Sequence, residues 1–225
     1  MHILTEIIKE DMKPALGVTE PGAIAFAVAK AKSYITEEIE KVKVRLNSGI
    51  YKNAFTCGIP NSDEVGNLFA AALGVVAGKA DRGLESLEDV TQEDNKKAQK
   101  LIDEGKIKVE LNRISSDIFI EVEIITQKEN SIVRIEGTHT NIVEIIVNGE
   151  TIFSKELEKK EENKEEIVLH RYSVKDILKY IDNVDISEIE FVMKAHDMNM
   201  ILFQEGLNNK KTTFVKQLWK MNGEK

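Results

Sequence analysis

The stretch IEVEIITQKENSIVRIEGTHTNIVEIIVNGETIF, residues 120–153, decides the fold. Its β-branched, partly alternating runs carry the period of two expected of strands with one buried face. Asn148-Gly149 between two such runs is a type I′ hairpin signal, because both central positions of that turn need a positive φ. With the flanking runs, strands are predicted at 106–111, 118–126, 131–137, 141–147 and 151–153, forming an antiparallel sheet.

Toward the amino terminus the period lengthens. Ile3, Leu4, Ile7, Ile8 and Met12 have helical spacing, and Pro14 ends that element by restricting the residue before it. Thr19 reads as the N-cap of a helix over 21–34, with Glu20 at the positive end of the dipole and Pro21 in the first turn. Alanines at 23, 25, 27, 29 and 31 leave this helix little bulk, which suits burial and close approach by another helix or by backbone.

Val42, Val44 and Leu46 alternate with Lys41, Lys43 and Arg45 as a half-buried strand. The Gly, Asn, Ser and Pro content of 47–67 predicts a functional loop, followed by a helix over 65–77. The charged stretch 81–104 reads as mostly helical, started at Thr91 and stopped at Gly105. Beyond the sheet, 156–166 is a charged, apolar-poor run expected to be a solvated loop. Ser173 caps a helix over 173–180, and a second helix is predicted over 187–205, closed by Gly206.

The fold class is therefore α+β: a helical layer with a strand, plus an antiparallel sheet subdomain flanked by helices. The corresponding divisions are 1–105, 106–206 and a polar helical tail at 207–225. At 42% hydrophobic and 31% charged, the chain has too much apolar content for global disorder. A net charge of −8 repels phosphate backbones and anionic lipid, which argues against nucleic acid or a membrane surface as partner. The most apolar window, 68–77, is far short of the roughly 20 residues a bilayer span needs. Cys57 is the only cysteine, so no intramolecular disulfide can form, and without a signal-like leader the cytoplasm is the expected location.

Several segments together resemble one family: MKPALGVTEPGAIA at 12–25, SGIYKNAFTCGIPNSDEVGNLFAAALGVVAG at 48–78, IEGTHTNIVEIIVNGE at 135–150 and MKAHDMNMILFQEGL at 193–207. They are similar to the amino-terminal half of the serine dehydratase alpha-chain-like group, which includes the L-cysteine desulfidases. That resemblance implies a carbon–sulfur or carbon–oxygen lyase acting on a small L-amino acid, yielding pyruvate and ammonia. In the resembling full-length enzymes a 4Fe–4S cluster with an open iron is the electrophile, and such clusters need at least three thiolates. The family's first ligand, in a Gly-Cys-Thr-Glu-Pro turn, is Val18 here, and the others belong to a carboxyl-terminal half. The chain is thus expected to hold no cluster, to be inactive alone, and to work with that half or a second subunit. The rival reading is a non-catalytic amino-acid-binding or interaction domain that keeps the fold.

Eliminating a β-substituent needs a grip on the carboxylate, a base for the α-proton and an electrophile. Lys52 and Asn53 are candidates for the carboxylate grip, or else a loop lysine and a turn asparagine. Thr19 and Glu20 serve as helix cap, and the resemblance adds a substrate-facing role. His139 could act as base or hydrogen-bond donor, or be a plain bend histidine. Asn199, three residues from His196 on a predicted helix, is a further substrate-binding candidate, with packing the alternative. Cys57 reads as a small semi-buried thiol, with a reactive or metal-binding role the alternative. A homo-oligomer is expected, because Ala25, Ala29, Ala70 and Ala71 suggest small-residue faces awaiting a missing segment.

One cysteine cannot supply the thiolates of a cluster, so anaerobic reconstitution of the purified chain should leave it without stoichiometric iron and sulfide. A broad visible absorption band with near-stoichiometric iron would overturn this.

Overall fold

The computed structural model describes residues 2–12, 17, 19–155, 168–210 and 213–223. Val18, Pro14 and the charged run 156–166 lie outside the described residues. The chain forms two compact units, Ala15–Glu161 and a discontinuous one of Met1–Pro14 with Glu162–Lys225. The fold is α+β.

The first unit contains α2 (Thr19–Lys32), β1 (Lys41–Asn47), α3 (Ser48–Ala54), α4 (Asn67–Val76), α5 (Gln92–Asp103) and strands β2 (Ile107–Arg113), β3 (Phe119–Ile125), β4 (Asn130–Glu136), β5 (Ile142–Val147) and β6 (Glu150–Ser154). These strands make a six-stranded sheet in the order β2-β1-β3-β4-β5-β6. β1 lies between β2 and β3, parallel to the former and antiparallel to the latter. The sheet is therefore mixed, and the expected boundary at 105 does not separate it from β1. A parallel neighbour needs a crossover connection, and α3, α4 and α5 supply it.

The period of two places one row of side chains on each face. Val109, Val44, Val122, Val133 and Ile145 are register partners across five strands, and all but Val109 are buried at 4% exposure or less. The opposite face carries Arg45, Glu121, Arg134 and Glu144 in register, with alternating sign. Arg45 Nη1 donates to Glu121 Oε1 at 2.6 Å, and Arg134 reaches Glu121 at 2.7 Å and Glu144 at 2.5 Å. These pairs are partly exposed, so each is worth about 1 kcal/mol or less; like charges in register would be unfavourable, so the ladder favours this pairing over slipped ones. Asn148 and Gly149 have φ of 52° and 84°, as the predicted hairpin requires.

Helix α2 is buried at ten of its 14 residues and packs against α4 and against β3 and β4. A Cβ on Gly74 would stand 2.8 Å from both the Ala25 carbonyl oxygen and Val28 Cβ, and one on Gly22 2.9 Å from the Leu84 carbonyl. The small residues thus admit both a helix and backbone. At the other end of α2, Ser131 Oγ donates to the Ala31 carbonyl at 2.9 Å, tying the helix to β4. Ala25, Ala29, Ala70 and Ala71 are at most 4% exposed. They are spent inside this unit, so the expected bare alanine face is corrected.

Other local expectations are refined. Thr19 is the first helical residue of α2. About a third of the predicted loop is helix α3, because Ile50 and Ala54 are four apart and buried on one face. Thr91 forms a capping box with Asp94 at the start of α5, and Gly105 ends it at φ 68°.

The second unit holds α1 (Ile3–Asp11), α6 (Val174–Asn183), α7 (Ile186–Ile189), α8 (Val192–Asn208) and α9 (Phe214–Met221). Thr5 Oγ1 bonds Tyr180 Oη at 2.7 Å, so α1 joins the late helices and not the first 105 residues. Ser173 and Asp176 form a capping box on α6. The single helix predicted over 187–205 is interrupted between α7 and α8, and Gly206 does not close it. A Cβ there would meet Val215 Cγ2 at 2.7 Å, so Gly206 serves the contact of α8 with α9.

Gly74→Val should lower unfolding stability by about 1–3 kcal/mol, read from a urea midpoint, because the added methyls meet backbone and a packed valine. Gly58→Ala, with open space at its Cβ, should shift the midpoint little. Equal midpoints for both variants would mean that α2 and α4 are not in close contact.

Candidate functional site

The buried body of α2 fixes where its first turn ends, and that turn presents Thr19 and Glu20. Helix α3 brings Asn53, whose Nδ2 donates to Glu20 Oε1 at 2.9 Å across 33 residues of sequence. Asn67 at the start of α4 donates to the Tyr51 carbonyl at 2.9 Å and so holds α3 in place. The bend between β4 and β5 brings His139, with Nε2 3.4 Å from Thr19 Oγ1. Thr19 Oγ1 also lies 3.3 Å from Glu20 Oε2. When the threonine donates to that carboxylate, His139 must carry its proton on Nε2 to complete the chain of bonds.

Cys57 joins this cluster through its Sγ, which donates to the Asn53 carbonyl at 2.7 Å. Its loop is folded back by the Gly58 and Val65 bridge and by the Gly66 amide donating to the Cys57 carbonyl at 3.0 Å. Gly66 has φ 94°, and a Cβ there would meet the Phe55 carbonyl at 2.7 Å, so this closure requires glycine. The sequence alone favours a small semi-buried thiol at Cys57 over a reactive one. The available signal was its spacing of four from Asn53 in a Gly-rich segment.

The structure thus assembles Thr19, Glu20, Asn53 and His139 and adds Cys57. Lys52 is exposed, and among the described residues no hydrogen bond or ion pair ties its ammonium to the cluster. Successive helical residues point about 100° apart, which separates it from Asn53. Asn199 is in the helical unit, its amide donating to the Ala195 carbonyl at 2.7 Å. That unit also has a cleft of about 670 Å3 lined by His2, Tyr172 and Tyr180, but two of its carboxylates, Asp176 and Asp185, are engaged in helix caps.

Burial raises the Glu20 pKa, but the Asn53 amide, the backbone, His139 and Thr19 outweigh it and leave the carboxyl below its ordinary value. Burial pushes His139 below its ordinary value, against the pull of Glu20. Burial, then the charge of Glu20, pushes the Cys57 thiol up. Near neutral pH the cluster is thus a carboxylate among neutral hydrogen-bonding groups. Such a site attracts an ammonium group.

A cluster of metal-ligating side chains is absent among the described residues. One cysteine falls short of the three or more thiolates an iron–sulfur cluster needs, so the residues of this chain do not fit such a cluster.

No family model matches the chain. It is 38% identical over 211 residues to a UPF0597 protein of Clostridium tetani, covering 92% of this chain and 49% of that one. It is 37% identical over 207 residues to a UPF0597 protein of Caldanaerobacter subterraneus, again with 92% and 49% covered. A UPF0597 protein of Clostridium botulinum is 36% identical over 210 residues, with 92% and 48% covered. The chain spans about half the length of the curated relatives it matches. No solved structure matches.

Folded His139 binds its proton less readily than the unfolded chain does, whose value is near 6.5. The unfolded state therefore holds more protons as the pH falls through that value, and stability is lost on acidification; Glu20 adds to the loss only below about 4.5. The melting temperature should fall between about pH 7.5 and 5.5, and His139→Asn should flatten the fall. An unchanged slope in the variant would place His139 outside this electrostatic cluster.

Proposed function

We propose that this chain supplies the substrate-holding part of an L-amino-acid site of the L-cysteine desulfidase or L-serine dehydratase type, and is inactive as a lyase alone. The observation that carries the reading is the meeting of Thr19 and Glu20, Asn53 and His139, which come from separate segments that resemble that family.

A zwitterion has two charged ends to hold. Glu20, oriented by Asn53, suits the α-ammonium as a charge-assisted acceptor. The positive end of the 14-residue helix α2 suits the carboxylate. His139, kept neutral by burial, has the protonation state required of a base for the α-proton. In the resembling enzymes a cluster polarises the leaving group; with the single protonated thiol here, the leaving-group chemistry must come from groups outside these residues.

The single cysteine also favours a second reading, an amino-acid-binding domain without catalysis. Both readings require ligand binding, and they part on turnover once a partner supplies the missing ligands.

Saturating L-serine or L-cysteine should raise the melting temperature; at about a hundredfold excess over Kd the gain is about 2.7 kcal/mol. Glu20→Gln and Asn53→Ala should each remove most of the shift. Lys52→Ala should leave it in place, and its loss in that variant would return the carboxylate grip to the lysine. No shift with any small L-amino acid would overturn the site.

A further inference from the structure

Side chains from outside α3 close its carboxyl-terminal end. The Phe55 amide donates to the Lys52 carbonyl at 3.3 Å, three residues back. The Tyr51 carbonyl, which one more α-helical bond would give to Phe55, is thereby left to another donor. Asn67 Nδ2 supplies it at 2.9 Å. The Asn53 carbonyl takes the Cys57 thiol at 2.7 Å. Asn67 is therefore a remote cap for the helix that carries Asn53.

This cap is held at a cost. Asn67 is 5% exposed, and its Oδ1 has no hydrogen-bond partner among the described residues. Turning the amide over would not relieve this, because a carbonyl only accepts and Nδ2 must face Tyr51. A buried acceptor without a partner is unfavourable, so packing alone would favour an apolar residue at this position. The bond to α3 gives the asparagine its reason. Asn67 opens α4, whose Gly74 lies against Ala25 of α2, and α2 carries Glu20. A circuit of contacts thus runs from α2 through α4 and Asn67 to α3, and returns by the 2.9 Å bond from Asn53 to Glu20.

We propose that Asn67 is a positioning residue for the Glu20 site: its amide sets the placement of α3, so that Asn53 meets the Glu20 carboxylate. The ammonium-holding role of Glu20 rests on the amino-acid reading above, whereas the action of Asn67 on that carboxylate does not.

Burial raises the Glu20 pKa, and the Asn53 amide leads the groups that bring it below its ordinary value. The test is therefore a carbon NMR titration of the full chain without ligand, using side-chain-labelled glutamate and Glu20→Gln to assign the resonance. Asn53→Ala should raise the Glu20 midpoint, and Asn67→Ala and Asn67→Leu should each reproduce most of that rise. Leucine fills a similar volume without the donor, and circular dichroism checks that each variant is folded. Asn53→Ala combined with Asn67→Leu should titrate like Asn53→Ala alone, because the effect passes through Asn53. Val42 is buried and in register with Ile124, whose β4 partner Ser131 bonds the far end of α2. Val42→Ala should accordingly lower the melting temperature and leave the Glu20 midpoint in place. An unchanged midpoint in the Asn67 variants, a further rise in the double variant, or an equal rise in Val42→Ala would each overturn the proposal. The titration is read without ligand, so its outcome is separate from that of the amino-acid melting test.

Discussion

Helix α2 can approach α4 and the sheet only because side chains are missing where the surfaces meet. A methyl on Gly74 would stand 2.8 Å from the Ala25 carbonyl, and Gly22 lies as close to the backbone at Leu84. With the Ser131 bond at the far end, the helix has little freedom to slide or turn. Its first turn inherits that fixity. Glu20 and Thr19 are held against Asn53 and His139 by packing over the buried length of the helix more than by the bonds between them, two of which are long at 3.3 and 3.4 Å.

The sheet meets two demands with one alternation. Its helix-covered face is a continuous aliphatic row, while its other face is closed by charges that match across β1, β3, β4 and β5. Isolated surface pairs add little stability. Their value lies in register: a slip of one residue would turn the aliphatic row outward and break the alternation of charge. β1 is thereby specified as an interior strand despite its three cationic side chains, and the segment that follows it delivers α3 to the site.

The two units use their apolar residues in opposite ways. In the sheet unit, alanine and glycine faces are consumed internally, which leaves an open polar cluster at the end of α2. In the helical unit, α8 and α9 meet through Gly206 against Val215 and through the Phe203 and Trp219 rings at 5.1 Å, yet much of the apolar surface stays in water. On the proposed reading, Glu20 and its neutral neighbours hold an amino acid, and the leaving-group chemistry comes from groups outside these residues.

Local signals in the sequence determined the elements whose causes are local. Alternation located the strands, Asn148-Gly149 set the hairpin through its two positive φ angles, and Thr91 and Ser173 started their helices through capping boxes. The small residues of α2 announced close packing, and the resemblance marked Thr19, Glu20, Asn53 and His139 as candidates. Only the tertiary structure decided that β1 enters the sheet between β2 and β3, since strand partners are chosen by distant hydrogen bonds and not by the strand's own residues. It also decided that Ser48–Ala54 is a helix despite its Gly and Asn, that Gly206 is a contact and not a stop, and that Cys57 belongs to the polar cluster. The bond between Thr19 and His139 spans 120 residues, and no local pattern records a contact made by two elements packed separately onto one sheet.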